Sequence, residues 1–542
     1  MLQRRATGGL SSAAGCQRGS VRPQRPAPPS HRSGSRLTLS PPRAGDAPES
    51  TYVEKEKRMH DSVTTMRKEA QDYRARLLKD IAADVARVAP SGKAAAPTEA
   101  TSMTKRKLQN AIAVMQEGLI ERETEVRLLM LAAMSGEHIL LIGPPGTAKS
   151  EVGRRLNKLI SGTYFERLLT RFSVPEELFG PLSMRALEDD KYVRQTRGYL
   201  PEAEVAFIDE IFKANSAILN TLLTIINERL FDNGSARDRV PLLSMVGASN
   251  ELPESEELDA LYDRFLIRKE VQQVSSAGLA TMLTYYSNSE ASAVAGGGSA
   301  MGAVQAGMMV TRADITTCKQ DAVRSVSVPP SVIQMVTDLR TYLQEKIEPP
   351  VYVSDRRLVK SMQLLQVAAH CNGRDSVSEY DVLLLQHVLW ARPDTSAKIA
   401  DWVLSQLSAD DGTKQVSYLL SGLFSRACRS LGNPDKLAEI TAEAANLREL
   451  LVARYRSVAL TLEGGFPAVL DNLWLGEEEA QAVATALQPK LSKTRGSIDA
   501  ILSDVATLEV ALRNGSDPVT LANLMPRHWA DFIRNSDVSD VK

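Results

Sequence analysis

The eight residues Gly143-Pro-Pro-Gly-Thr-Ala-Lys149-Ser150 constrain this chain more than any other stretch. They follow the short run His138–Ile142 and precede a segment, Glu151–Ile160, that reads as a helix. Short continuous runs of this kind mark strands buried on both faces of a sheet covered by helices. A glycine-bearing turn between such a strand and a helix aims successive backbone N–H groups at one spot, where the helix dipole favours an anion. Lys149 adds a point charge for β- and γ-phosphates, and Ser150 offers a hydroxyl to Mg²⁺. Ala148 stands where this spacing normally carries glycine. It costs some backbone freedom but no chemistry, because only its N–H is used. Gly143, Pro144, Pro145, Gly146, Thr147, Ala148, Lys149 and Ser150 are therefore expected to hold nucleotide phosphates in an α/β fold with a parallel sheet.

A second apolar run, Val205–Ile208, ends in Asp209 and Glu210. A Mg²⁺–nucleotide site needs one acid near the metal and one that orients or deprotonates the attacking water. Asp209 fits the first task and Glu210 the second; the alternative for each is a solvated acid at a strand end. A third run, Leu242–Val246, leads to Asn250. An amide at that strand end can stand beside the γ-phosphate and the lytic water, although Asn is a common strand-end residue.

The 542 residues are enough for three or four domains. The net charge of -1 is unevenly spread. Residues 1–45 hold eight of the 65 basic residues and none of the 66 acidic ones, so the remainder carries -9. Arg, Ser and Pro enrichment without an apolar core is the composition of an organelle transit peptide, the alternative being a disordered basic tail. Composition alone does not separate chloroplast from mitochondrion. No run of 18 apolar residues suggests a membrane span. The four cysteines, Cys16, Cys318, Cys371 and Cys428, lack metal-ligand spacing and read as neutral or buried thiols.

Residues 46–102 read as a charged helix (52–89) followed by a Pro/Gly/Ala linker, and 103–275 as the α/β domain. The Ala/Gly/Ser-rich stretch within 276–325 reads as a linker. Helices near 330–346, 355–371 and 378–391 make a helical unit over 326–395. In the helical region 396–542, Leu437, Ile440, Ala444, Leu447 and Leu451 form one seam. Ile498, Ile501, Val505, Leu508 and Leu512 form another. A break at Gly464–Pro467 suggests an antiparallel pair, or else ordinary amphipathic helices of a bundle.

The stretches GEHILLIGPPGTAKS, RFSVPEELFGPLSM, RGYLPEAEVAFIDEIFKANSAILNTLLTIINERLFDNG and GASNELPESEELDALYDRFLIR resemble the MoxR group of AAA+ ATPases, most of all its RavA branch. The likeness is dense over 103–272 and extends to about 395 through VYVSDRRLVKSMQLLQ. It implies an AAA+ P-loop core, an all-α lid and a helical C-terminal region, using ATP and Mg²⁺. It implies that Lys149 and Ser150 are Walker A residues, Asp209 and Glu210 Walker B, and Asn250 sensor 1. Arg264 in LYDRF would be an arginine finger acting in trans, with Arg268 a second candidate. Without the resemblance Arg264 reads as an ion-pair partner of Asp263. Arg356 in SDRR would be sensor 2, reaching the γ-phosphate from the lid, with Arg357 its fallback. The family's active form is a homo-oligomeric ring, commonly a hexamer, and its general partner a protein with a von Willebrand A domain.

Two inserts fit the same likeness. Met184–Tyr199 would be a helix-2 insert, and Arg229–Val240, with Asp232-Asn233-Gly234, a β-hairpin; both would couple hydrolysis to a client or be passive surface. The small β-rich insert of bacterial RavA proteins has no counterpart in the pattern after 396. Four functions compete: a remodelling chaperone, a magnesium chelatase motor, a nucleic-acid motor, and a scaffold that binds ATP without hydrolysis. The -9 charge and the lack of a basic stripe speak against nucleic acid. Intact Lys149, Asp209, Glu210 and Asn250 speak against the scaffold. A bacterial-type ATPase behind a transit peptide points to the chloroplast stroma, with the mitochondrion as alternative.

Overall fold

Five short strands make one parallel sheet, and their order decides which loops meet. The structure is a computed structural model that describes residues 49–88, 99–160, 162–253, 255–294, 310–408 and 411–535. The expected transit peptide, residues 1–45, lies outside the described residues. The chain divides into two compact units, 1–59 and 60–542. Among described residues the first holds only the opening turns of helix α1 (Glu49–Val88), and every other element belongs to the second.

The core begins with α2 (Glu99–Gln116) and α3 (Glu123–Ser135), then β1 (Ile139–Ile142) and α4 (Lys149–Ile160). Next come β2 (Tyr164–Leu168), α5 (Pro175–Phe179), α6 (Met184–Glu188), β3 (Val205–Asp209) and α7 (Ser216–Glu228). A hairpin follows, β4 (Leu230–Asn233) and β5 (Ala236–Arg239), then β6 (Ser244–Ser249), α8 (Glu256–Arg264) and β7 (Ile267–Glu270). The sheet order is β2-β3-β6-β1-β7, every pairing parallel. β6 therefore lies between β1 and β3, and the loops after all three emerge at one edge. Strands β1 and β6 are wholly buried, as their unbroken apolar character requires.

The lid follows α9 (Ser276–Val294). It comprises α10 (Arg312–Ser325), α11 (Pro330–Thr341), α12 (Asp355–Cys371), a 3₁₀ helix over Glu379–His387, and α13 (Pro393–Leu407). Two expected boundaries are corrected here. The supposed linker 276–325 contains two helices, and α10 opens with a complete capping box, Thr311 with Asp314. Its Lys319 joins Lys360 of α12 on the buried carboxylate of Glu137. At the other end α13 crosses residue 395 and packs on the 3₁₀ helix, so the lid runs to 407. Cys318 and Cys371 meet inside the lid with their sulfurs 3.6 Å apart. Their mutual hydrogen bond, with burial, holds the Cys371 thiol well above the usual range and keeps it neutral.

Among the described residues after 407 every element is helical: α14 (Asp411–Arg429), α15 (Pro434–Glu463), α16 (Pro467–Leu470), α17 (Glu477–Arg513), α18 (Pro518–Leu524) and α19 (Pro526–Asn535). The two expected seams meet. Arg448 pairs with Glu509, and Glu463 with Arg495, so numbering rises along α15 as it falls along α17. From His60 on, α1 completes this bundle. Its Val63 joins the cluster of Phe424, Leu451 and Leu508, and Arg74 donates to Asp499 at 2.9 Å. The turn between α15 and α17 docks against lid helix α12, where Trp474 is fully buried and its indole N–H donates to the Ala368 carbonyl at 3.0 Å. No described helix is long and apolar enough to cross a membrane.

Candidate functional site

The loop after β1 is tightly determined. A Cβ on Gly143 would lie 2.1 Å from the Val271 carbonyl oxygen, so only glycine fits. The Gly143 N–H donates to Ser249 at the end of β6, 3.0 Å away. Gly146 has φ +80°, and Ala148 has φ +62°. The cost of Ala148 is therefore left-handed strain, about 1–2 kcal/mol for an L-residue, carried where α4 begins. Ser150 is half-buried in the first turn of α4.

Lys149, 7% exposed, keeps its ammonium inside this loop. It donates to the carbonyls of Gly143 and Pro144 and to Asn250 Oδ1, the latter two at 3.0 and 3.1 Å. Burial draws its pKa below the usual lysine range, against the opposing pull of Asp209 and Glu210. Asn250 sits between β1 and β3 because β6 does. Its Oδ1 faces the cation and its Nδ2 donates to Glu210 Oε1. Both neighbours are thus satisfied by one amide orientation. Asp209 ends β3, and its Oδ1 accepts from the Glu210 N–H at 3.0 Å. Glu210 itself has φ +54°, a strained conformation for a non-glycine residue. Lys149, Asn250 and Glu210 thus form one hydrogen-bonded chain at the carboxyl ends of β1, β6 and β3, with Asp209 beside it. That is the edge where open α/β sheets bind ligands.

Arg264 and Arg356 lie elsewhere. Neither hydrogen-bonds to the phosphate loop or to Asp209 and Glu210 among the described residues. Arg264 ends α8, and its guanidinium donates to the Ala260 carbonyl while its Nε is buried without a hydrogen-bond partner. Burial lowers its pKa, and the nearby charge of Arg356 lowers it further. Asp263 is engaged by Arg357, not by Arg264, at 3.4 Å. The two reserve candidates are excluded from phosphate by their contacts. Arg357 is buried and donates to the carbonyls of Val388, Asp263, Phe265 and Leu266, pinning α12 to the core. Arg268 is buried 3.5 Å over the Tyr262 ring and donates to the carbonyls of Trp390 and Tyr262.

Three further residues bear on the site without a signal in the sequence pattern. Arg122, 5% exposed, donates to the Thr147 carbonyl at 3.1 Å and to Gln272 at 2.7 Å, bracing the phosphate loop from behind. Lys213 pairs with Glu210 Oε2 at 3.3 Å. Phe172, 91% exposed, is displayed by a turn in which Asn215 donates to the Ser173 carbonyl at 2.8 Å. Leu169 N–H donates to the Asp209 carbonyl at 2.9 Å, so this display hangs from the segment around Glu210. The hairpin and the insert are likewise sewn together, with Asn233 Oδ1 accepting from Arg194 N–H at 2.7 Å and its Nδ2 donating back to the Arg194 carbonyl. Met184 and Tyr192 of the insert are exposed. Among the described residues no group of three or more His, Cys, Asp or Glu could hold a metal ion by itself.

Residues 106–298 match a family profile described as the MoxR domain in the MoxR-vWA-beta-propeller ternary systems, and 331–403 match an AAA lid domain. Two uncharacterized proteins of Methanocaldococcus jannaschii are each 38% identical, over 283 and 285 residues, covering 52% of this chain and 70% of theirs. The chaperone MoxR1 of Mycobacterium tuberculosis is 25% identical over 191 residues, 33% of this chain and 50% of its own. Taken with the parallel sheet, the phosphate loop and the helical lid, these likenesses show that the chain belongs to the MoxR family of AAA+ ATPases.

Proposed function

We propose that this protein hydrolyses ATP in a Mg²⁺-dependent reaction within a homo-oligomeric ring, probed most simply as a hexamer, and uses the energy to remodel or assemble protein complexes. The observation that carries the reading is the continuous chain Lys149–Asn250–Glu210 at one sheet edge. The loop fits phosphates, since a Cβ at Gly143 would be blocked by backbone and Lys149 is already buried among acceptors that an anion can replace. Ser150 and Asp209 would hold Mg²⁺, which would neutralise phosphate charge and order the nucleotide. Glu210 would take the proton of the attacking water, with Asn250 orienting both. Arg264, whose buried Nε lacks a hydrogen-bond partner, fits a role toward the adjoining subunit's phosphates, and Arg356, which lies near it, a role toward the γ-phosphate from the lid.

The exposed Phe172, Met184 and Tyr192, braced on the Asp209–Asn215 segment and the hairpin, support a protein client. The family description and the chaperone relative favour this over a chelatase motor, and the family description supports a von Willebrand A-domain partner. Membership in the RavA branch and a chloroplast stromal location belong to the same proposal. They rest on the motifs over 103–272 and on the Arg/Ser/Pro-rich residues 1–45.

Lys149→Ala tests the phosphate loop. It removes charge-assisted hydrogen bonds worth about 1.5–3 kcal/mol each, so affinity for MgATP measured by titration should fall at least about tenfold, and turnover with it. Unchanged affinity would refute the assignment.

A further inference from the structure

The carboxylate of Glu210 is held from two sides. Asn250 Nδ2 donates to Oε1 from the core side, and Lys213 Nζ lies 3.3 Å from Oε2 on the outer side. The local backbone brings Lys213 there. Ile211–Lys213 forms one 3₁₀ turn whose N-cap is Glu210, and the Lys213 N–H donates to the Glu210 carbonyl at 2.8 Å. In a 3₁₀ turn side chains three apart eclipse one another, so position 213 is the one from which a long side chain returns over residue 210. The left-handed φ of Glu210 starts this turn.

The ion pair is poorly explained as a stabilising device. The Lys213 side chain is 47% exposed and that of Glu210 14%, and a half-exposed pair of this kind is worth about 0–1 kcal/mol. Its geometric effect is larger. The last torsion of a glutamate is broad and roughly two-fold, so a carboxylate anchored at one oxygen still swings about that anchor. A second donor on the other oxygen stops the swing, while each oxygen keeps a lone pair for a water proton.

We propose that Lys213 is a positioning residue for Glu210, the outer of two jaws that hold the general base in line with the attacking water. The proposal rests on the reading of Glu210 as that base. Lys213 touches neither phosphate nor water in it and acts only through the carboxylate. Misplacing a catalytic group by about 1 Å can cost about 100-fold in rate.

The test is steady-state ATP turnover by the full chain, with kcat and KM determined separately for Lys213→Met, Lys213→Arg, Glu210→Gln and the Lys213→Met/Glu210→Gln double variant. Lys213→Met should lower kcat about 10- to 100-fold with KM for MgATP unchanged. Lys213→Arg, which can still pair with Oε2, should recover most of the rate. The double variant should be no slower than Glu210→Gln alone, since a positioning residue has nothing left to position. Unchanged or raised kcat in Lys213→Met, a change confined to KM, or equal losses in the Met and Arg variants would each overturn the proposal. Normal turnover by Glu210→Gln would instead remove the base assignment, and the proposal with it. An inactive Glu210→Gln beside an undiminished Lys213→Met removes the proposal alone.

Discussion

Replacing Glu210 by glutamine is expected to leave MgATP binding intact and to cut turnover about 10²–10⁴-fold, the range for loss of a general base. The side chain keeps its length and its place beside Asn250 and Lys213. An amide cannot satisfy both neighbours, because it presents an NH₂ either to the Asn250 amide or to the Lys213 ammonium. The lost contact costs about 1 kcal/mol, too little to unfold the chain. The hydrogen bonds of the phosphate loop are untouched, since Lys149 reaches Asn250 and not Glu210. Phosphate release and nucleotide titration on the same preparation check both halves. Turnover near the parent rate would assign the base elsewhere.

Arg264→Ala carries the other large effect. An arginine supplied to a phosphoryl-transfer transition state is worth about 10³–10⁵ in rate, or about 4–7 kcal/mol of barrier. The structure leaves little else for Arg264 to do. Its Nε is buried without a hydrogen-bond partner, its neighbour Arg356 repels it, and Asp263, which attracts it more weakly, pairs with Arg357. Removing it relieves desolvation and repulsion and forfeits only the weaker attraction to Asp263, so the fold should survive. Binding of MgATP to the same subunit should persist, since Arg264 makes no hydrogen bond to the phosphate loop. Mixed assemblies of Arg264→Ala with Glu210→Gln should recover part of the activity, because the Arg264→Ala sites then face intact arginines. No recovery over a range of mixing ratios would count against action in trans. Arg356→Ala should shift the rate in the same direction.

The parts of the candidate site that are contiguous in sequence were legible there. Strand, loop and helix follow one another at 138–160, and a strand runs straight into Asp209 and Glu210. Asn250 was legible as a residue type, but its place between Lys149 and Glu210 follows from the order β3-β6-β1, which no local pattern encodes. Arg356 and Arg357 show the same limit within one helix. Neighbours in a helix point about 100° apart, so one faces solvent and the other enters the core, and two adjacent arginines do not reveal which. Arg122 hides in the charged stretch Glu121–Glu125, where nothing marks Arg122 and Glu125 as the side chains that turn inward.

At the level of the fold, small residues around 287–308 suggested a linker and masked the capping box that starts α10. Of the apolar residues of α1, Val63, Ile81 and Val85 are buried. Its partners were not visible, because they lie more than 350 residues away on α14, α15 and α17. Periodicity reports that a helix has a buried face and says nothing of what covers it.

Phosphate release from MgATP by the full-length chain, followed as protein concentration is raised, tests the central claim most directly. If each site is completed by Arg264 of a neighbour, specific activity should climb steeply with concentration, plateau once rings form, and vanish when Mg²⁺ is chelated. Specific activity independent of concentration would contradict completion by a neighbour, and no phosphate release at any concentration would contradict the assignment of ATP hydrolysis itself.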